Sequence, residues 1–129
     1  NSFGGNPVSC SIGNALLDII EDENLQKKAL ITGEHFLKSL KLLHQKYPNM
    51  ISEVRGQGLF LGIDFIKNNH DVPNMKLANF IINNLRNKGI LLSTDGPYHN
   101  VIKIKPPMPF DLDNVNYVCY ELNKLLKKF

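Results

Sequence analysis

The stretch VRGQGLFLGIDF, residues 54–65, is where the hydrophobic spacing of the chain changes. Before it, apolar side chains recur every three or four residues, as they do on one face of a helix. Every second residue from Leu59 to Phe65 is large and apolar, with Gly62 and Asp64 among the residues between them. Such alternation is typical of a strand whose sheet is covered on one face. The chain is therefore predicted to combine amphipathic helices with a one-sided sheet.

The remaining elements follow from the same two periods. They are predicted in the order helix 7–23, helix 24–47, strands 51–54 and 59–65, helix 77–88, strands 90–92 and 101–105, and a helix capped by Asp111. A turn is predicted at residues 94–97, Thr-Asp-Gly-Pro, between the last two strands. These strand pairs favour an α+β fold, a small and mostly antiparallel sheet with helices packed on one face.

Length and charge limit what the chain can do. Its 129 residues suit one domain, residues 1–129, with a core of its own. The formal net charge of +3 is small and the lysines are spread along the chain, which argues against a nucleic-acid partner or a polybasic membrane surface. No apolar run approaches the roughly 20 residues that span a bilayer. The chain begins without Met in a glycine-rich loop, and we expect it to be a segment of a longer protein.

Cysteine and histidine spacing gives no sign of a metal site. Cys10 and Cys119 are isolated and fall within helical patterns, so we expect both to be reduced, buried and part of a cytoplasmic protein. The histidines stand far apart, at positions 35, 44, 70 and 99. That spacing does not match a zinc site, and no metal is expected.

The loop before the first helix, SFGGNP at residues 2–7, has two interpretations. The hydroxyl of Ser2, the backbone at Gly4 and Gly5, and a helix N-terminus together could hold a phosphate. A glycine-rich lead into a helix is more often a plain turn.

The run Arg55-Gly56-Gln57-Gly58 is similarly open. The glycines could permit a bend between two strands, with Arg55 in solvent or paired with a carboxylate. Alternatively, the bare backbone at Gly56 and Gly58 could admit a ligand or a partner chain.

Lys103 and Lys105 lie on the same face of the predicted strand 101–105, because side chains alternate along a strand. One interpretation is an edge strand whose lysines face water and discourage aggregation. The other is a strand facing a cleft in which an ammonium group meets an anionic substrate.

Taken together, these segments resemble the C-terminal part of a class-III aminotransferase, a pyridoxal-phosphate enzyme of fold type I. The resemblance covers nearly the whole chain and is carried by SFGGNPVSC (2–10), LLDIIEDENL (16–25), VRGQGLFLGIDF (54–65), KGILLSTDGP (88–97) and NVIKIKPPMPF (100–110). Within them, VSC (8–10), STDGP (93–97), NV (100–101) and KIKPPM (103–108) most resemble the branch that acts on phosphoethanolamine and phosphohydroxylysine, eliminating phosphate and ammonia.

The resemblance implies roles for parts of this chain. The Schiff-base lysine and the large cofactor-binding domain would lie upstream, so no catalytic residue is expected here and the segment alone should be inactive. Members of the family are usually dimers, which implies a homodimer with the helix at about residues 7–23 at its interface. Ser2 stands where relatives have a hydroxyl residue, typically Thr, that contacts the phosphate of the partner subunit's cofactor. Lys103 stands where many transaminases of α-amino acids have Arg, and with Lys105 it would bind a phosphorylated amine substrate.

Two functions are therefore carried forward. The first is a transaminase or phospho-lyase that uses pyridoxal phosphate on a small amine. The alternative is a stand-alone interaction module that binds an acidic or phosphorylated partner.

Overall fold

A computed structural model describes residues 2, 4–68 and 72–129. Its elements are α1 (Pro7–Asp22), α2 (Leu25–Lys46), β1 (Ile51–Gln57), β2 (Phe60–Lys67), β3 (Val72–Pro73), α3 (Met75–Arg86), β4 (Ser93–Asp95), β5 (Val101–Ile104) and α4 (Leu112–Leu126). The strands form one antiparallel sheet in the order β1-β2-β5-β4, and the short β3 pairs with β2. The predicted α+β class is confirmed.

The core lies between one face of the sheet and the helices α2, α3 and α4. Leu61, Ile63 and Phe65 of β2 are each 2% exposed or less, while Gly62 and Asp64 between them are only partly covered. The period-two pattern therefore identified the covered face of β2 correctly. Its first member, Leu59, belongs to the turn that precedes the strand.

The β1–β2 hairpin depends on glycine at two places. Gly56 has φ +139°, and a Cβ there would lie 2.2 Å from the carbonyl oxygen of Phe60. A Cβ on Gly33 of α2 would lie 2.1 Å from the carbonyl oxygen of Gly58. The missing side chain of Gly56 thus lets the hairpin close, and that of Gly33 lets α2 pack directly against the hairpin turn.

Two strands differ most from their predicted limits. The strand at 51–54 continues to Gln57, and the edge strand lies at Ser93–Asp95 instead of 90–92, where the turn was expected to begin at 94. The cause is the pairing with β5, which sets Ser93 opposite Lys103 and Asp95 opposite Val101. This register moves the turn to Gly96 and the residues that follow it.

The first helix stands apart from the core. None of the residues of α1 is buried, and the expected burial of Cys10 is therefore wrong, since its side chain is exposed. Cys119 of α4 is half-buried, and desolvation raises its pKa to about 12. Among the described helices, none has the length and apolarity needed to cross a membrane.

Candidate functional site

The open face of the sheet carries a row of three residues on three adjacent strands. Gly62 of β2 pairs with Arg55 of β1 on one side and with Lys103 of β5 on the other. The row borders an open-sided cavity of about 440 Å³, to which the middle residue contributes no side chain. Asp95 and Val101 complete its wall at the β4–β5 end. Two cationic side chains therefore line one opening, although they are 48 positions apart in the chain.

Lys103 is already engaged with a carboxylate. Its Nζ donates a hydrogen bond to Oδ2 of Asp95 at 2.8 Å, and Oδ1 of Asp95 accepts the backbone N–H of Gly96 at 2.8 Å. The hydrogen bond from Lys103, followed by that from Gly96, holds the pKa of Asp95 below its usual value. Both partners keep contact with water, with side chains 39% and 56% exposed. Lys103 is therefore partly exposed to water, and its ammonium group is paired with a carboxylate.

Lys105 takes a different position from Lys103. It lies beyond the end of β5, is exposed, and places its Nζ 5.9 Å from the ring centroid of Phe60. It does not line the cavity that Arg55 and Lys103 share. The structure thus brings Lys103 and Arg55 together at this cavity, whereas Lys105 joins Lys103 on the wall of a second, larger cavity.

Arg55 is oriented by two carboxylates. Its Nη1 lies 2.6 Å from Glu53 Oε2 and 3.5 Å from Asp64 Oδ2. Asp64 is held in turn by the side-chain amide of Asn100, which is only 5% exposed and also donates to the carbonyl oxygen of Phe65 at 2.9 Å. The guanidinium is therefore paired with carboxylates on the same sheet face as the cavity.

Sequence reasoning missed three polar residues of this face. Asp64 could have been found, because it follows Gly62 by two positions and so lies on the same face. Asp95 was assigned to a turn, and only its pairing in β4 places it beside Lys103. Asn100 carried no local signal for its role as a buried support of Asp64.

A larger cavity, of about 630 Å³, lies between the β5 side of the sheet and α4. Its walls are mainly apolar and include Pro107 and the stacked rings of Phe36 and Phe110, whose centroids are 6.0 Å apart. Lys103 and Lys105 both line this cavity as well. The smaller cavity is the better candidate for binding a charged ligand, because Arg55, Lys103 and Asp95 all line it.

The N-terminal loop is partly committed to capping α1. Oδ1 of Asn6 accepts the backbone N–H groups of Val8 and Ser9, at 2.9 and 3.2 Å. These N–H groups are therefore occupied, and Pro7 has none to offer. Apart from this cap, the loop could offer a phosphate the hydroxyl of the exposed Ser2 and the backbone at Gly4 and Gly5.

Metal ligands do not come together in the part of the chain that the structure describes. No group of three or more His, Cys, Asp or Glu side chains there could hold a metal ion. Of the four scattered histidines, His70 lies outside the described residues.

Comparison with known proteins gives the family. The model of the family "Aminotransferase class-III" matches residues 1–126. The chain is 43% identical over 118 residues to "Alanine--glyoxylate aminotransferase 2-like" from Drosophila melanogaster, covering 90% of this chain and 24% of that protein. It is 40% identical over 128 residues to "Ethanolamine-phosphate phospho-lyase homolog 1" from Caenorhabditis elegans, covering 98% of this chain and 27% of that protein.

A solved structure agrees with these matches. A phospholyase from Arthrobacter, in complex with phosphoethanolamine, superposes with a TM-score of 0.90 at 34% identity, over 95% of this chain and 29% of the other. The chain therefore belongs to the class-III aminotransferase family, as its motifs indicated. It spans about a quarter of the length of the curated relatives described above.

Proposed function

We propose that residues 1–129 form the C-terminal small domain of a pyridoxal-phosphate enzyme that removes phosphate and ammonia from a small phosphorylated amine such as phosphoethanolamine. The observation that carries the proposal is Lys103, which lines a cavity on the open face of the sheet together with Arg55. Support comes from the C. elegans and Arthrobacter relatives, whose names include a phospho-lyase and a phosphoethanolamine complex. Transamination of an amine is the second candidate reaction, favoured by the name of the Drosophila relative.

The choice between the two reactions turns on lysine chemistry at position 103. A guanidinium presents a planar fork that matches a carboxylate, whereas an ammonium is a compact point charge with three donors that do not lie in one plane. A phosphate ester at neutral pH carries a charge of about −1.5 to −2 and three acceptor oxygens. Lys103 therefore suits a phosphate better than it suits the bidentate recognition of an α-carboxylate.

Within this proposal, Lys103 has two tasks. It binds and orients the substrate's phosphate before reaction, and it offsets the charge on the phosphate as the carbon–oxygen bond breaks. Lys105 lies outside this cavity, on the wall of the larger one, and adds a longer-range positive potential. Arg55 borders the site, where its ion pairs with Glu53 and Asp64 fix the far wall.

The first residues of the chain are proposed to contact the cofactor. We assign Ser2, with the backbone at Gly4 and Gly5, to the phosphate of the partner subunit's cofactor. Ser2 suits this role because its hydroxyl lies in an exposed loop. The first N–H groups of α1 are not counted among the phosphate contacts, because Asn6 already accepts them. When bound, pyridoxal phosphate supplies the electron sink that allows a proton next to the amine nitrogen to leave.

The same proposal makes α1 a dimer-interface helix in a cytoplasmic enzyme. Val8, Ile12, Leu16 and Ile19 recur at helical spacing and are 67%, 65%, 54% and 47% exposed. A helix that leaves such a stripe in water gains stability when a partner subunit covers the stripe.

A stand-alone module that binds acidic partners is less favoured, because the chain belongs to an enzyme family.

The test is a product analysis on the complete protein that carries this chain, loaded with pyridoxal phosphate. With phosphoethanolamine, we expect inorganic phosphate and ammonia to be released in equal amounts, with little amino transfer to an added keto acid. Efficient amino transfer without phosphate release would refute the lyase assignment and leave a transaminase. Release of neither product and no transfer from any amine would favour the interaction module.

A further inference from the structure

The pairing of Lys103 with a resident carboxylate has a consequence for how long an anion stays in the cavity. Lys103 has three N–H donors, and one of them is directed to Asp95 at 2.8 Å. An anion that binds at Lys103 must either share the ammonium with Asp95 or displace it. In both cases the carboxylate opposes the anion.

The geometry allows this exchange. Asp95 ends the short edge strand β4, directly before the turn that begins at Gly96. Its side chain is 56% exposed, and Lys103 is itself 39% exposed. The carboxylate can therefore move into water at little cost, because ion pairs this exposed are weak.

We propose that Asp95 is a positioning residue that competes with the anionic group of the ligand for Lys103 and so speeds the departure of inorganic phosphate after reaction. This inference rests on the function proposed above. In the empty site Asp95 holds the ammonium at the cavity wall, and after reaction it takes back the ammonium as the phosphate leaves.

The sign of the effect follows from charge. The repulsion between Asp95 and a bound anion grows in proportion to the anion's charge. It therefore weakens binding of a phosphate dianion more than binding of a singly charged carboxylate. Removing the Asp95 charge should strengthen retention of phosphate most of all.

The experiment compares Asp95→Asn with the wild type in the complete, cofactor-loaded protein. Competitive inhibition by inorganic phosphate and by acetate is measured at one pH and one ionic strength, and phosphate binding is followed independently by calorimetry. Asp113→Asn, on α4 at the helix-covered side of the sheet, removes one carboxylate away from the cavity and serves as the charge-matched control.

We expect Asp95→Asn to bind inorganic phosphate about fivefold more tightly, with a smaller gain for acetate. The KM for phosphoethanolamine should fall, and kcat should fall with it if phosphate departure limits turnover. Asp113→Asn should leave all these quantities unchanged.

A third variant separates this inference from the function on which it rests. If Lys103→Met weakens phosphate binding while Asp95→Asn leaves phosphate affinity unchanged or reduced, the competing role of Asp95 is refuted and the anion site stands. If Lys103→Met leaves phosphate affinity unchanged, the anion site at Lys103 is refuted, and so is the competing role of Asp95.

Discussion

Arg55 and Lys103 lie on strands that flank the same residue, since Gly62 is the cross-strand partner of both. The two residues therefore lie on either side of a position without a side chain. A Cβ at Gly62 would meet Val101 at 3.6 Å and the Arg55 stem at 3.9 Å, which is ordinary contact. Glycine is thus not required there by the backbone packing, and its effect is to leave the cavity open.

Filling that position should separate binding from folding. Gly62→Val suits a strand and should fold as well as the wild type, because the site has room and valine favours strands. Its branched side chain should reduce affinity for phosphoethanolamine at least about tenfold, since it occupies the space between the cations. Circular dichroism and thermal melting check the fold, and KM checks binding. Gly62→Ala is the control with a much smaller loss, and full affinity in Gly62→Val would place the ligand elsewhere.

The contact between Gly33 and Gly58 yields a prediction about stability. Gly33→Ala would place a Cβ 2.1 Å from the Gly58 carbonyl oxygen, so α2 and the hairpin turn must separate. We expect a loss of about 2 kcal/mol or more in the free energy of unfolding, measured with urea. Gly13→Ala in α1 meets nothing within 4 Å and should be neutral or slightly stabilising. Equal effects from the two variants would contradict the packing described here.

Titration of Asp95 should report its ion pair. The hydrogen bond from Lys103 lowers the pKa of this carboxyl below 3.8, with further lowering from Gly96 and His99. A depressed pKa means that the pair's contribution to stability is complete above about pH 4 and is lost as the pH falls through the folded pKa. Carbonyl NMR should place the midpoint below 3.8 and show it rising in Lys103→Met. An unmoved midpoint in that variant would mean that the pair does not form in solution.

The two thiols should differ in reactivity. Cys10 is exposed, whereas burial raises the pKa of Cys119 to about 12. Since the thiolate is the reactive form, a thiol reagent at pH 8 should label Cys10 rapidly and Cys119 slowly in the folded 129-residue chain. Cys10→Ser should abolish the rapid phase, and unfolding in urea should make both sites react. Rapid labelling of Cys119 in the folded chain would contradict its packing against the core.

The fold was largely predictable because it depends on periods that the sequence displays. The alternation through Leu61, Ile63 and Phe65 identified the covered face of β2, and helical spacing located all the helices. The edge strand was misplaced by three residues because its position depends on pairing with β5, and pairing is set by partners that a local pattern cannot show.

The candidate site was predictable only in part. Lys103 could be placed on an open sheet face from alternation alone, and the family resemblance predicted that it binds a phosphorylated substrate. The pairing of Lys103 with Asp95 could not be predicted, because it depends on the register between β4 and β5, which the sequence does not show. Asn100 donates a hydrogen bond to Asp64, which is 36 positions away in the sequence. No hydrophobic period in the sequence predicts that an asparagine amide is buried there.

The most direct test of the central claim is the rate of phosphate release from phosphoethanolamine by Lys103→Met, compared with the wild type in the complete, cofactor-loaded protein. Removing a charge-assisted contact of about 1.5–3 kcal/mol should lower kcat/KM by roughly ten- to a hundredfold. Lys105→Met, which changes the same residue type outside the cavity, should lose much less. A wild-type rate in Lys103→Met, with the fold intact, would contradict the assignment of this sheet face to the substrate's phosphate.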